Sequence, residues 1–139
     1  MLNEDLFERG VELMGTVLGA ETAEATRARH DAAVTTGNAE RNDYPTQVAW
    51  GFMLRRPQLA LRDRALVMLT SDIVQGTPLA MRDHVRLALH AGVTREEIDE
   101  VVFQLSQYCG FPRTREAGVI IREVFADLDA GKPIDRKSK

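Results

Sequence analysis

The sequence predicts an all-α protein, a compact bundle of about six to seven helices. Apolar residues recur every three or four positions in most of the chain, and cap-forming residues stand where those patterns begin and end. No segment alternates apolar and polar residues long enough to predict a strand. At 139 residues, 44% of them hydrophobic, the chain is long enough to bury a core without metal or disulfide cross-links.

The first helix is predicted from its cap at Asn3 to a stop at Gly19. Residues 21–36 are rich in alanine and charge, so they favour a helix but offer few large side chains to hold it in place. His30 lies among charged residues in this segment and is interpreted as a solvated histidine. A loop is expected over residues 37–43.

Tyr44-Pro45 is predicted to open the next helix, with proline in the first turn, where its missing N–H does no harm. This helix is the most apolar and aromatic stretch of the chain, and it ends before Pro57. Trp50 is interpreted as a core residue, with a place in the wall of a ligand pocket as the alternative. Another helix is predicted from Leu61 to Val74, before the break at Gly76-Thr77-Pro78.

The helix after that break carries a histidine on its apolar side. The residues that share this stripe at helical spacing are Ala80, His84, Leu87, Ala88 and Ala91. Arg86 and His90 lie on the other side of the same helix. An imidazole that points inward must be paired or used, because burying it unsatisfied costs on the order of 1–3 kcal/mol. His84 is therefore the first candidate for a functional residue, and a satisfied core histidine is the alternative.

Thr94 and Glu97 predict a capping box at the start of the following helix. An apolar turn at residues 108–112 separates that helix from the last one. We expect a single domain over residues 1–131 and a basic, flexible tail over residues 132–139.

Composition argues against several classes of function. The net charge of −3, with lysine and arginine scattered along the chain, is not that of a nucleic-acid-binding protein. No apolar run approaches the roughly 20 residues that span a bilayer, so no membrane partner is expected. A single cysteine permits no internal disulfide, and the N-terminus is acidic where a signal peptide would be basic. These features predict a cytoplasmic protein.

Familiar nucleotide and metal motifs are missing from the sequence. It has neither a GxGxxG nor a GxxxxGK[ST] loop, and no CxxC or HExxH motif. His84 and His90 are six residues apart, which places them on roughly opposite sides of a helix, so they cannot share a metal ion. Cys109 falls on an apolar stripe and is interpreted as a structural thiol. What remains is an inward histidine, arginines and aromatic residues, a set that suits binding a small carboxylate and moving a proton.

From Arg9 to Phe125 the chain resembles the carboxymuconolactone decarboxylase family, within a superfamily shared with the alkylhydroperoxidase D proteins, and is closer to the decarboxylase branch. The matching pieces, in family order, are Arg9-Gly10, Val17-Leu18-Gly19, Ala49-Trp50-Gly51, Arg56-Pro57, Arg64 with Leu66-Val67, His84-Val85-Arg86, Ala88-Leu89, Gly92-Val93-Thr94, and Tyr108 with Gly110 and Pro112.

The resemblance implies an all-helical protomer that forms homotrimers or homohexamers, with active sites near subunit contacts. It also implies a reaction of aromatic catabolism that removes CO₂ from a small carboxylated lactone, without a metal or organic cofactor. In that scheme His84 is the proton donor or orienter, and Arg64 or Arg86 holds a carboxylate. Trp50 and Tyr108 shape an apolar wall that excludes water.

Departures from the family pattern bear on the reaction and the substrate. In the peroxidase branch a glutamate and two cysteines precede the histidine, and the corresponding places hold Ala65, Thr77 and Ala80, so a thiol peroxidase mechanism is not expected. The Trp-Gly-Glu of the decarboxylase branch is Trp50-Gly51-Phe52 in this chain, and Phe52 favours a larger or less polar substrate. An acidic position of the decarboxylases is also lost in Pro78-Leu79-Ala80, and their paired asparagines appear as His90-Ala91.

The leading hypothesis is therefore a cofactor-independent decarboxylase of a small carboxylated lactone or unsaturated acid. The lost carboxylates leave open a related reaction on a different metabolite. A non-catalytic helical oligomer is the third hypothesis.

Overall fold

Helices account for nearly all of residues 3–132, which are the residues that the computed structural model describes. The α-helices are α1 (Glu4–Leu18), α2 (Ala20–Thr35), α3 (Ala39–Pro45), α4 (Leu61–Gln75), α5 (Pro78–His90), α6 (Arg95–Cys109) and α7 (Phe111–Asp129). A π-helix, Thr46–Phe52, and a short 3₁₀ turn, Met53–Arg55, connect α3 to the segment before α4. Residues 3–132 contain no strand, so the predicted all-α class is confirmed. The predicted basic tail falls mostly on residues 133–139, outside the described part of the chain.

The chain divides into two compact units, Met1–Leu59 and Ala60–Lys139. None of the helices within residues 3–132 is long and apolar enough to cross a bilayer.

In the N-terminal unit, α1 packs against the π-helix and α2. The Asn3 side chain accepts a hydrogen bond from the backbone N–H of Leu6, which confirms the predicted cap. The buried face of α1 consists of Phe7, Gly10, Val11, Met14 and Leu18. Two glycines allow close contact with the π-helix: a Cβ on Gly10 would lie 2.2 Å from the carbonyl oxygen of Thr46, and one on Gly51 would lie 2.0 Å from that of Leu6.

The expected loop over residues 37–43 is wrong for residues 39–43, because α3 begins at Ala39. Pro45 is also not in the first turn of a helix but is the last residue of α3. Proline has no N–H to donate to the carbonyl four residues earlier, so the α-helical register is interrupted there. The chain continues from Thr46 in the wider π register.

In the C-terminal unit, α4 to α7 pack around one core. Its fully buried side chains include Leu69, Ile73, Met81, Val85, Leu87, Ile98 and Ile121. The predicted capping box is confirmed, since Thr94 and Glu97 each bond the backbone N–H of the other. The Thr94 backbone N–H, together with the Arg62 guanidinium, holds the pKa of Glu97 below its usual range.

Candidate active site

His84 and Asp72 form a hydrogen-bonded pair between α5 and α4. The distance between Nδ1 of His84 and Oδ2 of Asp72 is 2.5 Å. The histidine side chain is 14% exposed and the aspartate side chain 9% exposed, so the contact is shielded while the ring keeps an accessible edge. The inward histidine predicted from the sequence is thus a paired one.

The turn between α4 and α5 holds Asp72 in place. Gly76 adopts the left-handed conformation that ends α4, with a φ of 71°, and its backbone N–H donates to the Asp72 carbonyl at 2.7 Å. The hydroxyl of Thr77 donates to Oδ1 of Asp72 at 2.8 Å. Pro78 then starts α5, at a position where no backbone N–H is needed. Each carboxylate oxygen of Asp72 therefore has a partner of its own.

This arrangement determines which nitrogen of His84 can take part in chemistry. A carboxylate accepts hydrogen bonds, so Nδ1 of the imidazole is the donor to Asp72. Asp72 therefore fixes the ring orientation and stabilises the positive charge of a protonated imidazole, as carboxylates do for catalytic and metal-bound histidines. Any proton that His84 exchanges with a substrate passes through Nε2.

The apolar stripe of α5 lies slightly differently from the prediction. Its buried residues are Met81, Val85, Leu87 and Ala88, so Ala80 and Ala91 are not part of the buried face. His84 lies at the edge of this face and turns toward α4. His90 is exposed near the end of α5, as predicted.

The two predicted carboxylate-binding arginines both lie in the C-terminal unit. Arg64 is half-buried in α4, two turns before Asp72. Arg86 is two residues after His84, so the two side chains leave α5 in different directions. Its guanidinium donates to the Lys132 carbonyl at 3.4 Å, and burial lowers its pKa although nearby aspartates act in the opposite direction.

The predicted aromatic site residues are distributed over both units. Trp50 lies in the π-helix of the N-terminal unit and is 4% exposed. Phe52, at the end of that helix, is 45% exposed, and the guanidinium carbon of Arg56 lies 5.3 Å from its ring centre. Tyr108 is 77% exposed in the last turn of α6. Within residues 3–132, no group of three or more His, Cys, Asp and Glu side chains could hold a metal ion.

Asp72 and the role of Thr77 were not predicted from the sequence. A signal was present, because Asp72 lies at helical spacing from Ala65 and Leu69 and so falls on the buried stripe of α4. A carboxylate at a core position needs a partner, and an inward histidine follows twelve residues later.

His30 was interpreted as solvated, and this interpretation is wrong. Its Nδ1 lies 2.6 Å from Oδ2 of Asp43, whose residue is 0% exposed. Its ring also packs on Phe7, with 4.5 Å between ring centres. The missed signal was Asp43, which had been assigned to a loop and lies on the inner side of α3.

Comparison with known proteins gives three results. A model of the carboxymuconolactone decarboxylase family matches residues 39–121, more than half of the chain. The chain is 33% identical over 127 residues to the nitrosuccinic acid decarboxylase npaB of Metarhizium robertsii, covering 91% of this chain and 86% of that protein. It is 28% identical over 128 residues to the 4-carboxymuconolactone decarboxylase of Acinetobacter baylyi, covering 92% of each.

Proposed function

The chain belongs to the carboxymuconolactone decarboxylase family, and from this membership we propose that it is a decarboxylase in which His84 delivers the proton that replaces the departing CO₂. The observation that carries the proposal is the bond between Nδ1 of His84 and the shielded carboxylate of Asp72. This pair occurs at the histidine that the family resemblance singles out.

The proposed reaction requires few groups of the protein. The bond between the carboxylate carbon and its neighbour breaks, and the electron pair moves into an adjacent unsaturated or electron-withdrawing group of the substrate. A proton from Nε2 of the protonated His84 then adds to carbon, and His84 recovers a proton from solvent. Asp72 stabilises the protonated imidazole, and Thr77 keeps Asp72 from rotating away.

An arginine is proposed to hold the substrate carboxylate, since a guanidinium binds a carboxylate through two parallel hydrogen bonds. Arg64 and Arg86 are the candidates, and the Arg86 guanidinium also donates to the Lys132 carbonyl, beyond the end of α7. Trp50, Phe52 and Tyr108 are proposed to shape an apolar wall that excludes water from the reacting carboxylate.

A small carboxylated lactone is the proposed substrate class, on the basis of the family and the Acinetobacter relative. A second candidate is a nitro-substituted dicarboxylic acid, favoured by the 33% identity to the nitrosuccinic acid decarboxylase. In both classes a group on the substrate can accept the electron pair left by CO₂. We further propose that the enzyme works as a cytoplasmic homotrimer or homohexamer without a cofactor.

The test is CO₂ release from purified protein given 4-carboxymuconolactone or nitrosuccinic acid, with His84→Gln beside the wild type. Loss of the proton donor is expected to lower kcat by at least about 100-fold. His90→Gln is the matched control, because it removes an exposed histidine from the same helix and should leave kcat unchanged. Equal turnover by His84→Gln and the wild type would falsify the role of His84, and turnover of only one acid would identify the substrate class.

A further inference from the structure

A second histidine–carboxylate pair lies in the N-terminal unit. The bond between His30 and Asp43 uses the same atoms as the bond between His84 and Asp72, Nδ1 and Oδ2, at 2.6 Å and 2.5 Å. The Asp43 side chain is 1% exposed, and its Oδ1 accepts a hydrogen bond from the Asn42 amide at 2.8 Å. Burying a carboxylate this deeply costs free energy unless hydrogen-bond partners satisfy it. The bond to Asp43 therefore fixes the orientation of the His30 ring.

The His30 ring lines a cavity of about 230 Å³. The side chain is 27% exposed, and because Nδ1 bonds Asp43, Nε2 is the ring nitrogen that remains for a ligand. In the neutral ring Nδ1 carries the proton, so Nε2 is an acceptor. At about 30 Å³ per water, the cavity has room for a ligand of roughly seven or eight heavy atoms.

The other walls determine which ligand would bind. The lining residues are Asn3, Glu4, Phe7, Glu8, His30, Val34 and Gln47. This set includes two glutamates and no lysine or arginine, and Glu4 carries the charge that favours a cation, because Glu8 is neutralised by an ion pair. The nearby Arg27 is directed at Glu8, with Nη1 2.5 Å from its carboxylate oxygens. Phe7 and Val34 supply an apolar wall.

We propose that this cavity binds a small organic ammonium ion, whose N–H groups donate to Nε2 of His30 and to the Glu4 carboxylate while its short hydrocarbon part lies against Phe7 and Val34. The site is independent of the proposed decarboxylase reaction, since none of the residues that line this cavity is among those proposed for that reaction. Nothing in the family resemblance calls for a histidine at position 30 or an aspartate at position 43.

The experiment is an NMR titration of protein labelled with ¹⁵N in its histidine rings, using n-butylammonium chloride at pH 7. The expected result is a saturable shift of the His30 ring nitrogens, with His90 unaffected. Sodium butyrate at the same ionic strength should give no saturable shift. Absence of a saturable shift with butylammonium, or equal shifts with both salts, overturns the proposal and leaves His30–Asp43 as a contact that ties α2 to α3.

Glu4→Gln and Asp5→Asn make a matched pair of variants. Both positions are exposed in the first turn of α1, and both substitutions remove one negative charge there, but only Glu4 lines the cavity. Asp5 pairs instead with Arg9. Glu4→Gln is expected to raise the Kd for butylammonium roughly fivefold through loss of a charge-assisted hydrogen bond, and Asp5→Asn to leave it within about twofold. Equal weakening by the two variants would show diffuse attraction to a negative surface and no site.

Discussion

Asp72 is the side chain that orients His84, and its contribution to the proposed catalysis can be measured separately from that of the histidine. Asp72→Asn keeps the size of the side chain but removes the charge, so the ring can adopt the wrong tautomer and its protonated form loses a stabilising partner. Loss of such a supporting partner typically costs about 10–100-fold. We therefore predict that Asp72→Asn lowers kcat by that factor with little change in KM, and that kcat depends differently on pH in the variant.

The control for this prediction is Asp63→Asn, an exposed substitution in the first turn of the same helix, which should leave both constants unchanged. A merely structural role for Asp72 would give a different outcome. The thermal midpoint would fall, and the molecules that stay folded would keep the wild-type kcat and pH profile.

Individual side chains also show how far the site could be predicted from the sequence. His84 was found because a histidine on an apolar stripe is conspicuous. Asp72 and Asp43 were missed because each partner lies on a different helix, twelve or thirteen residues away along the chain. Spacing within one helix predicts which residues share a face, but it does not predict which faces meet.

Among the helices, α1 depends on close contact with the π-helix. A methyl group on Gly10 would have to displace the Thr46 backbone, because the Cβ would lie 2.2 Å from its carbonyl oxygen. We predict that Gly10→Ala lowers the free energy of unfolding by about 1–3 kcal/mol, despite the better helix propensity of alanine. The measurement is chemical denaturation followed by circular dichroism.

Gly15→Ala is the control, since it makes the same change in the same helix. There the Cβ would meet only the Cβ of Ala23, at 3.3 Å, which a shift of α2 by a few tenths of an ångström would relieve. We expect Gly15→Ala to be close to neutral or slightly stabilising. Equal effects of the two substitutions would contradict the proposed role of close packing at Gly10.

Helices with strong local signals were predicted well, and those that depend on tertiary contacts were not. The caps at Asn3 and Thr94 act within one turn, so the sequence predicts them directly. The π-helix follows from the interruption at Pro45. From the sequence pattern alone, a proline at this position is equally consistent with the start of a helix. In α2 only Thr22, Thr26 and Ala33 are buried, which agrees with the weak apolar face predicted for residues 21–36.

The exposed surface of the C-terminal unit bears on how protomers assemble. Phe103, Tyr108 and Phe111 are each at least 70% exposed around the end of α6 and the start of α7. Large aromatic side chains grouped on a surface are typical of a protein contact. They support the proposal that the chain forms a homotrimer or homohexamer and that this surface is part of the subunit contact.

Phe103→Asp tests this proposal, because a charge buried without a partner in an interface is strongly unfavourable. We predict a trimer or hexamer for the wild type in sedimentation velocity, and a shift toward the monomer for Phe103→Asp while the circular dichroism spectrum stays helical. Ala126→Asp adds the same charge at an exposed position near the other end of α7 and should leave the assembly intact.

A monomeric wild type would remove the need for subunit contacts, and the site would then have to be complete within one chain. If Phe103→Asp leaves the oligomer unchanged, the contact must use another surface, because a buried aspartate at this position would not be tolerated.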